Sequence, residues 1–249
     1  MAVVAGSALA VQVARTAPGH DLEVLRRVEA LSTPDALALT KALPLAEVLQ
    51  PLVPGGALQR GTTVGVTGPG GTTLGLALGA AASTAGSWTA VVGIPALGLA
   101  AAGELGLALE RVLVVADPPA DSWATVVAAL LDAVDLVIVG RPARLAGSDV
   151  RRLQARTRER GAVLCTVGEG WPQPADVRLT VTAARWAGPT GSGSGRLEAR
   201  QVEVVGGGRG AAARERRLAL WLPGPDGRVA AVAAPAQPRA ARPDLAATG

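Results

Sequence analysis

The chain has 249 residues and a formal net charge of +4, and 49% of its residues are hydrophobic but only 2% are aromatic. His20 is its single histidine and Cys165 its single cysteine, so a zinc site made of histidines and cysteines and a disulfide within the chain are both excluded. The charge is uneven, because residues 1–150 carry eight basic and twelve acidic side chains whereas residues 151–249 carry sixteen and eight.

The first part of the chain, up to about residue 55, is predicted to be helical. Asp21–Leu31 repeats leucine or valine every three residues, which indicates an amphipathic helix capped by Asp21. A capping residue and a first-turn proline at 32–34 start a second helix that runs to about Ala42, and Pro44–Leu52 forms a third, short helix.

From Thr62 the sequence alternates between short apolar runs and helical segments. The predicted strands are Thr62–Thr67, Trp88–Val92, Val112–Ala116, Leu136–Val139 and Val163–Val167. The predicted helices are Thr72–Ser83, Ala96–Leu109, Ser122–Ala133 and Gly147–Arg160. Strands of continuous apolar residues are typical of a parallel sheet buried on both faces, so this part predicts an α/β fold with crossover helices.

After Pro174 the pattern changes to strands without helices. The predicted strands are Val177–Thr182, Leu197–Val205, Arg217–Leu222 and Val229–Val232, joined by glycine-rich turns. Antiparallel hairpins at the edge of the parallel sheet are the simplest arrangement of these strands. We therefore divide the chain into an N-terminal helical segment 1–55, an α/β domain 56–232 and a disordered tail 233–249 that is rich in alanine, proline and arginine.

The 43 residues between Arg60 and Glu104 carry no charge, which raises the question of a membrane span. A transmembrane helix needs about 20 apolar residues in one helical run, and glycines and Pro95 interrupt this stretch several times. Residues 2–13 are apolar but lack the positive region that begins a signal peptide. We therefore expect a cytoplasmic protein without membrane contact.

The turn between the first parallel strand and its helix has the position of a phosphate-binding loop. Gly65, Gly70 and Thr72 match the P-loop pattern, but Gly71 stands where the pattern requires the lysine that reaches the β- and γ-phosphates, and Lys41 is the single lysine of the chain. The sequence therefore predicts a degenerate phosphate loop that holds no cofactor. Its residues are Gly65, Gly68, Pro69, Gly70, Gly71, Thr72 and Thr73.

Two further positions of an ATPase site are vacant. The strand end at 92–95 has no carboxylate to activate water, and the strand Leu136–Val139 runs into Gly140 and Arg141 rather than an aspartate that would hold magnesium. We therefore expect no catalytic residue, no metal site and no ATP hydrolysis. The turn then serves either close helix–strand packing or weak attraction of an anion by its backbone N–H groups.

These features resemble the RecA superfamily. Leu45–Gly61, followed by a strand and a glycine-rich turn, looks like the entry into the RecA core, and the hairpin with Leu197–Arg200 and Arg217–Leu220 is similar to the strands that follow that core. Within the superfamily, the lysine-free turn, Trp88–Gly93 and Leu218–Gly227 look like the actinobacterial ImuA-prime proteins.

The resemblance spans roughly residues 20–232 and implies a RecA-like core of mainly parallel strands flanked by helices, with C-terminal antiparallel hairpins. It implies an SOS-induced accessory role in mutagenic bypass of damaged DNA. Its partners in that assembly, the mutasome, would be an ImuB-type relative of the Y-family polymerases and, indirectly, an error-prone replicative-type DNA polymerase and the sliding clamp.

Because the RecA residues for ATP are missing, we expect a non-catalytic adaptor. The alternative is an ATP-dependent RecA-type recombinase that binds DNA. Weak binding of single-stranded DNA and self-association stay open.

The excess of positive charge in the C-terminal part marks a candidate surface for nucleic acid or an acidic protein. Tryptophan and arginine are enriched at the energetic centres of protein interfaces. The candidate partner-binding residues are therefore Arg214, Arg216, Arg217 and Trp221. The alternative interpretation places Trp221 in the core and the arginines along a solvated edge.

Candidate DNA-binding residues lie at the loops after the later parallel strands, where RecA-type proteins contact DNA. These residues are Arg141, Arg144, Arg151, Arg152 and Trp171. The arginines would meet phosphates and Trp171 would stack on a base. A helix at 147–160 with one basic, solvated face is the simpler alternative.

Overall fold

The computed structural model of the chain describes residues 13–14, 42–142, 144–188 and 194–232. The helices predicted between Asp21 and Ala42 lie outside these residues, apart from Ala42 itself, which begins a strand. The tail predicted from residue 233 also lies outside them. The first described element is the short strand β1 (Val13–Ala14).

A small two-stranded ribbon precedes the main sheet. Strand β2 (Ala42–Pro44) pairs antiparallel with β3 (Ala57–Gln59), and the residues between them form 3-10 helices at Glu47–Leu52 and Pro54–Gly56. The predicted short helix is thus a 3-10 helix that begins at Glu47, since Pro44 belongs to a strand and Pro51 lacks the N–H that an α-helix requires. The ribbon crosses the domain boundary predicted at residue 55, which stays a prediction.

The parallel strands and the helices between them follow the predicted alternation. The strands are β4 (Thr63–Thr67), β5 (Thr89–Val92), β6 (Val112–Val115), β7 (Leu136–Gly140) and β8 (Val163–Val167). The helices are α1 (Gly71–Thr84), α2 (Leu99–Glu104), α3 (Trp123–Ala133) and α4 (Gly147–Arg160). Helix α2 is much shorter than the helix predicted at 96–109, because the chain turns at Gly106, whose φ of 102° is left-handed.

Helices cover both faces of the parallel strands. Alternate residues of β7 contribute to two different hydrophobic clusters: Ile138 packs with α1 and the leucines of the ribbon, whereas Val137 and Val139 pack with α3 and α4. All four of the first residues of β7 are buried. This double burial explains why these strands read as continuous apolar runs in the sequence.

The C-terminal strands extend the same sheet. They are β9 (Val177–Ala187), β10 (Ala199–Gly208), β11 (Arg216–Trp221) and β12 (Ala230–Ala231). Strand β9 pairs in parallel with β4 and antiparallel with β10, and the complete order is β1-β6-β5-β7-β8-β4-β9-β10-β11-β12. The predicted antiparallel hairpins at the sheet edge are therefore confirmed.

The two faces of the antiparallel strands differ in burial. One face supplies Leu179, Val202 and Leu220 to the cluster that contains α1. The other face, which we call the outer face, carries exposed side chains such as Arg178 and Arg185 on β9. This half of the sheet is thus covered on one side and accessible on the other.

The uncharged stretch between Arg60 and Glu104 forms β4, α1, β5 and most of α2. Within the described ranges, none of the helices combines the length and the apolar character that crossing a bilayer requires. The lack of charge in this stretch reflects its position in the buried parallel half of the sheet.

Candidate functional site

The carboxyl ends of β4, β5, β7 and β8 meet at one edge of the sheet, and the turn from β4 to α1 lies there. Gly68, Pro69 and Gly70 form the turn, residues 71–73 begin α1, and Gly65 lies within β4. The predicted degenerate phosphate loop is thus a continuous strand–turn–helix unit, at the edge where open α/β sheets bind their ligands.

The turn is held closed by its own backbone. Gly68 and Gly70 have φ angles of 88° and 83°, in the left-handed region that favours glycine. The N–H of Gly71 donates to the carbonyl oxygen of Gly68 at 3.0 Å, and the N–H of Leu74 donates to that of Gly70 at 3.1 Å. A Cβ on Gly68 would collide with the carbonyl oxygen of Val181 in β9. The glycines therefore permit the close contact between the turn and β9.

A carboxylate of the chain itself approaches the turn. The backbone N–H of Gly68 donates to Oε1 of Glu169 at 3.1 Å, and Glu169 belongs to the loop that follows β8. Backbone N–H groups of glycine-rich turns are typical donors to phosphate oxygens. In this turn the Gly68 N–H instead binds an internal carboxylate.

An arginine of the chain lies against the other side of the turn. A Cβ on Gly70 would lie 2.5 Å from Cζ of Arg200, so the guanidinium fills the space over this glycine. Nε of Arg200 donates to the carbonyl oxygen of Leu222 at 2.8 Å, and the guanidinium lies 5.2 Å from the ring centroid of Trp186. Nη2 is buried and finds no hydrogen-bond partner among the described residues. Burial lowers the pKa of Arg200.

The sequence did not single out Glu169 or Arg200 as residues of the turn. The sequence does offer one indication for Glu169. It follows β8, and neighbouring parallel strands such as β4 and β8 end at the same edge of the sheet. No sequence pattern indicates the position of Arg200. That position depends on the register between β9 and β10, which shifts at an irregularity between Glu203 and Val204.

Gly71 and Gly140 occupy the positions where an ATPase has a lysine and a carboxylate, and the two positions differ in the space available for a side chain. A Cβ on the buried Gly71 would be 3.6 Å from Cγ1 of Val66, which is an ordinary van der Waals contact. A Cβ on Gly140, at the end of β7, would collide with the carbonyl oxygen of Gly93, just after β5. The end of β7 is therefore closed to any side chain by backbone packing, whereas a Cβ is accommodated at the lysine position.

The candidate DNA-binding residues are only partly brought together. Nε of Arg141 donates to the carbonyl oxygen of Gly170 at 3.0 Å, which places Arg141 beside the loop of Trp171. The Trp171 ring packs on the α3–α4 cluster, 6.2 Å from the ring of Trp123, and its Nε1 donates to the carbonyl oxygen of Val167 at 3.3 Å. The remaining three arginines, Arg144, Arg151 and Arg152, are exposed. DNA contact by these residues stays a prediction.

The candidate partner-binding residues lie around β11. Arg217 and Trp221 belong to the outer face, and Arg217 forms an ion pair with Glu215 at 2.7 Å. Arg216 lies on the opposite face, where its guanidinium donates to the carbonyl oxygens of Arg214 and Ala211 at 2.8 and 3.3 Å. The alternation of β11 places Leu220, rather than Trp221, in the core, and Arg214 is exposed.

Comparison with known proteins shows the family to which this chain belongs. The family model described as the MT3502 N-terminal domain matches residues 51–173. Uncharacterized protein Rv3395c of Mycobacterium tuberculosis is 36% identical over 168 residues, which are 64% of this chain and 80% of that protein. The chain belongs to the Rv3395c family. The part that matches the family model includes the turn after β4 and Glu169, whereas Arg200 lies beyond it.

The fold of this member of the Rv3395c family also matches a solved structure. The flagellar accessory protein FlaH from Methanocaldococcus jannaschii superposes with a TM-score of 0.53 and 13% sequence identity, over 78% of this chain and 99% of that chain. This likeness confirms the predicted RecA-like fold, with a mainly parallel sheet flanked by helices and C-terminal antiparallel strands.

Proposed function

We propose that the protein is a non-catalytic RecA-like accessory of the error-prone translesion synthesis complex. It acts in SOS damage-induced mutagenesis through contacts with an ImuB-type relative of the Y-family polymerases. The observation that carries the proposal is the turn after β4, which is filled by two charged side chains of the chain itself. The resemblance to ImuA-prime proteins supplies the pathway and the partner.

The occupied turn argues against a nucleotide ligand. A phosphate group placed on the turn would compete with the Glu169 carboxylate for the N–H of Gly68, and the two negative charges would repel each other. It would also have to displace the Arg200 guanidinium from the space over Gly70. The positive charge beside this turn is the Arg200 guanidinium. It donates to the carbonyl oxygen of Leu222 and lies over the ring of Trp186 rather than facing a phosphate.

The vacant positions argue against ATP hydrolysis. Phosphoryl transfer depends on a lysine at the phosphates and on carboxylates that hold magnesium and orient water. Gly71 replaces the lysine, and the end of β7 has no room for a carboxylate because Gly140 packs on Gly93. These features support an adaptor rather than the alternative, an ATP-dependent recombinase.

The antiparallel half of the sheet supports a role in protein contact. Arg217 and Trp221 share the outer face of β11, and residue types of this kind are enriched at interface centres. Through the ImuB-type protein, the chain would work beside an error-prone replicative-type polymerase and the sliding clamp in the cytoplasm. Direct contact with single-stranded DNA and self-association are separate outcomes of the experiments below.

The first test measures nucleotide binding and turnover. Wild-type protein is titrated with ATP and magnesium by calorimetry, beside the variant Gly71→Lys, whose Cβ would make only ordinary contacts. We expect neither binding nor turnover in the wild type and no turnover in the variant, since its carboxylates are still missing. Magnesium-dependent hydrolysis by either protein would refute the non-catalytic assignment.

The second test is co-purification with the ImuB-type protein and the replicative-type polymerase, with and without ATP. We expect the ImuB-type protein to be retained equally in both conditions, and the polymerase to be retained only in its presence. Retention that needs ATP would favour the recombinase alternative. Absence of any complex would refute the adaptor role.

A further inference from the structure

The end of the β9–β10 hairpin exposes two large hydrophobic side chains. Trp186 is 41% exposed and Leu197 is 54% exposed, and among the described residues they are the large hydrophobic side chains left on the surface. The N–H of Glu198 donates to the carbonyl oxygen of Ala187 at 3.0 Å, so the segment of Leu197 lies beside the end of β9. Exposed apolar side chains on two neighbouring segments of this kind mark contact sites.

The same hairpin end carries an excess of positive charge. Arg185 and Arg196 are exposed, and neither forms an ion pair with any residue that the structure describes. Between Thr182 and Arg200 the sequence holds three arginines, including Arg200, and one acidic residue, Glu198. The field at this end therefore favours a negatively charged partner.

Trp186 is fixed in place before any partner arrives. The Arg200 guanidinium covers one face of its ring at 5.2 Å from the centroid. Arg200 is itself held by the carbonyl oxygen of Leu222 and by the glycine turn after β4. A side chain that is already ordered loses less rotamer freedom on binding. The turn after β4 thus contacts the Arg200 guanidinium, and this guanidinium in turn packs on the ring of Trp186 and holds it in position.

We propose that Trp186, Leu197 and Arg196 form a docking site for an acidic segment of a protein partner that carries an apolar anchor. The site deepens the proposed function and rests on it, because it supplies a surface for the adaptor role. The apolar anchor would pack against Trp186 and Leu197 at the hairpin end, and acidic side chains would meet Arg196. Tryptophan and arginine are the residue types that dominate interface energetics.

The chemistry of the hairpin end favours a peptide over a nucleic acid. Leu197 has no face on which a base can stack. Single-strand binding surfaces use several aromatic rings in succession. Here one face of Trp186 is already covered by Arg200, and the chain has no phenylalanine or tyrosine to extend the stack.

The test compares full-length variants of the hairpin end with a matched control on the same hairpin. The site variants are Trp186→Ala, Leu197→Ala and Arg196→Glu. The control is Arg178→Glu, an exposed arginine near the other end of β9 that, like Arg196, has no ion pair in the described part of the chain. Thermal unfolding is measured for every variant, and Arg196→Glu keeps the test valid if the loss of Trp186 disturbs the hairpin.

Two probes are used, the ImuB-type protein and a fluorescein-labelled peptide of aspartate, glutamate and leucine. We expect Trp186→Ala and Leu197→Ala to weaken both complexes at least about tenfold, and Arg196→Glu about fivefold. The control Arg178→Glu should stay within about twofold of wild type. Peptide binding should weaken as salt rises.

The outcomes separate this site from the proposed function. If wild type and site variants retain the ImuB-type protein equally, the docking site is wrong and the adaptor role stands. If wild type fails to bind that protein but binds the peptide through Trp186 and Leu197, the docking site stands and the named partner is wrong. Failure with both probes refutes the site. Tighter, Trp186-dependent binding of oligothymidylate also refutes it and identifies a nucleic-acid interface.

Discussion

The parallel and antiparallel halves of the sheet differ in how their faces are used. Strand β7 is buried on both faces, and the edge at which it ends is closed by backbone contact between Gly140 and Gly93. Strand β11 buries Leu220 on one face and exposes Arg217 on the other. Both halves therefore contribute to the core, but only the antiparallel half keeps an accessible sheet face that can contact other molecules.

The largest expected contrast between the halves is chemical protection of a thiol. Cys165 lies in β8 without exposure, and burial raises its pKa to about 12. Because the thiolate is the reactive form, native Cys165 should react with Ellman's reagent more slowly than in urea by a factor of about a thousand or more. A cysteine placed at exposed Thr182 of β9, in a Cys165→Ser chain, should react at the rate of a free thiol. Equal rates at both positions would contradict the comparison.

The raised pKa of Cys165 also sets a pH dependence. Its thiol binds its proton more tightly in the folded chain than in the unfolded chain. The stability that follows from this difference is present below the ordinary thiol pKa near 8.5 and is lost as the pH rises toward the folded value. Urea unfolding of wild type and Cys165→Ser across alkaline pH measures it, and the two curves should converge as the pH rises.

Two leucines test the contrast in packing. Leu164 is buried in β8 between the helices and the sheet, while Leu197 is 54% exposed at the hairpin end. We expect Leu164→Ala to lower the free energy of unfolding by about 3 kcal/mol, because it leaves a cavity. Leu197→Ala should lower it by less than about 0.5 kcal/mol. Denaturant unfolding followed by circular dichroism measures both, and similar losses would show that the two halves do not differ.

Two glycines test the closure of the sheet edge. Gly140→Asp would place a side chain against the carbonyl oxygen of Gly93, whereas a Cβ on Gly207 of β10 meets nothing within 4 Å. We expect Gly140→Asp to cost about 2 kcal/mol of unfolding free energy and Gly207→Asp less than about 0.5 kcal/mol. A stable Gly140→Asp protein with unchanged melting temperature would mean that the edge opens easily.

The smallest expected effect concerns a surface ion pair on the parallel half. Arg156 hydrogen-bonds the Asp132 carboxylate and, with Arg160, lowers its pKa. A lowered pKa stabilises the fold above the ordinary carboxyl pKa near 3.9, and this stability is lost as the pH falls through the native value. Arg156→Ala should therefore cost about 0.5 kcal/mol at neutral pH and nothing at strongly acid pH, since the pair is solvated.

The control for this pair is Arg151→Ala on the same helix. Arg151 is exposed and forms no ion pair with the described residues. Its substitution should leave stability unchanged at both pH values. A loss equal to that of Arg156→Ala would assign the effect to helix α4 in general rather than to the ion pair.

Sequence patterns predicted most of the fold, because strands that are buried on both faces consist almost entirely of apolar residues. The run at 136–139 is wholly apolar and the run at 163–167 is apolar except for Thr166, and both form central strands. The helix at 96–109 was predicted too long, because glycine allows left-handed torsions that a hydrophobicity pattern does not register. Likewise β9 continues to Ala187 rather than ending at Thr182, since its last residues pair with β10 without being buried.

The candidate site was predicted only in part. The missing lysine at Gly71 and the missing carboxylate at Gly140 can be read directly from the sequence. The placement of Arg200 over Gly70 cannot, because it depends on the register of two strands far along the chain and on a shift within it. The contact between Trp186 and Arg200 depends on the same strand register, so the sequence alone does not predict it.

The contact between Gly140 and Gly93 has an evolutionary consequence. At Gly140 the carbonyl oxygen of Gly93 leaves no space for a side chain, whereas a Cβ on Gly93 would lie 3.5 Å from the carbonyl oxygen of Gly140. A mutation that introduced a carboxylate at the end of β7 would first have to pass through a less stable protein, before any second change could move the opposing strand end. Descendants of this chain therefore meet a steric barrier on the way back to a charged strand end, whereas a Cβ at Gly71 meets no backbone collision.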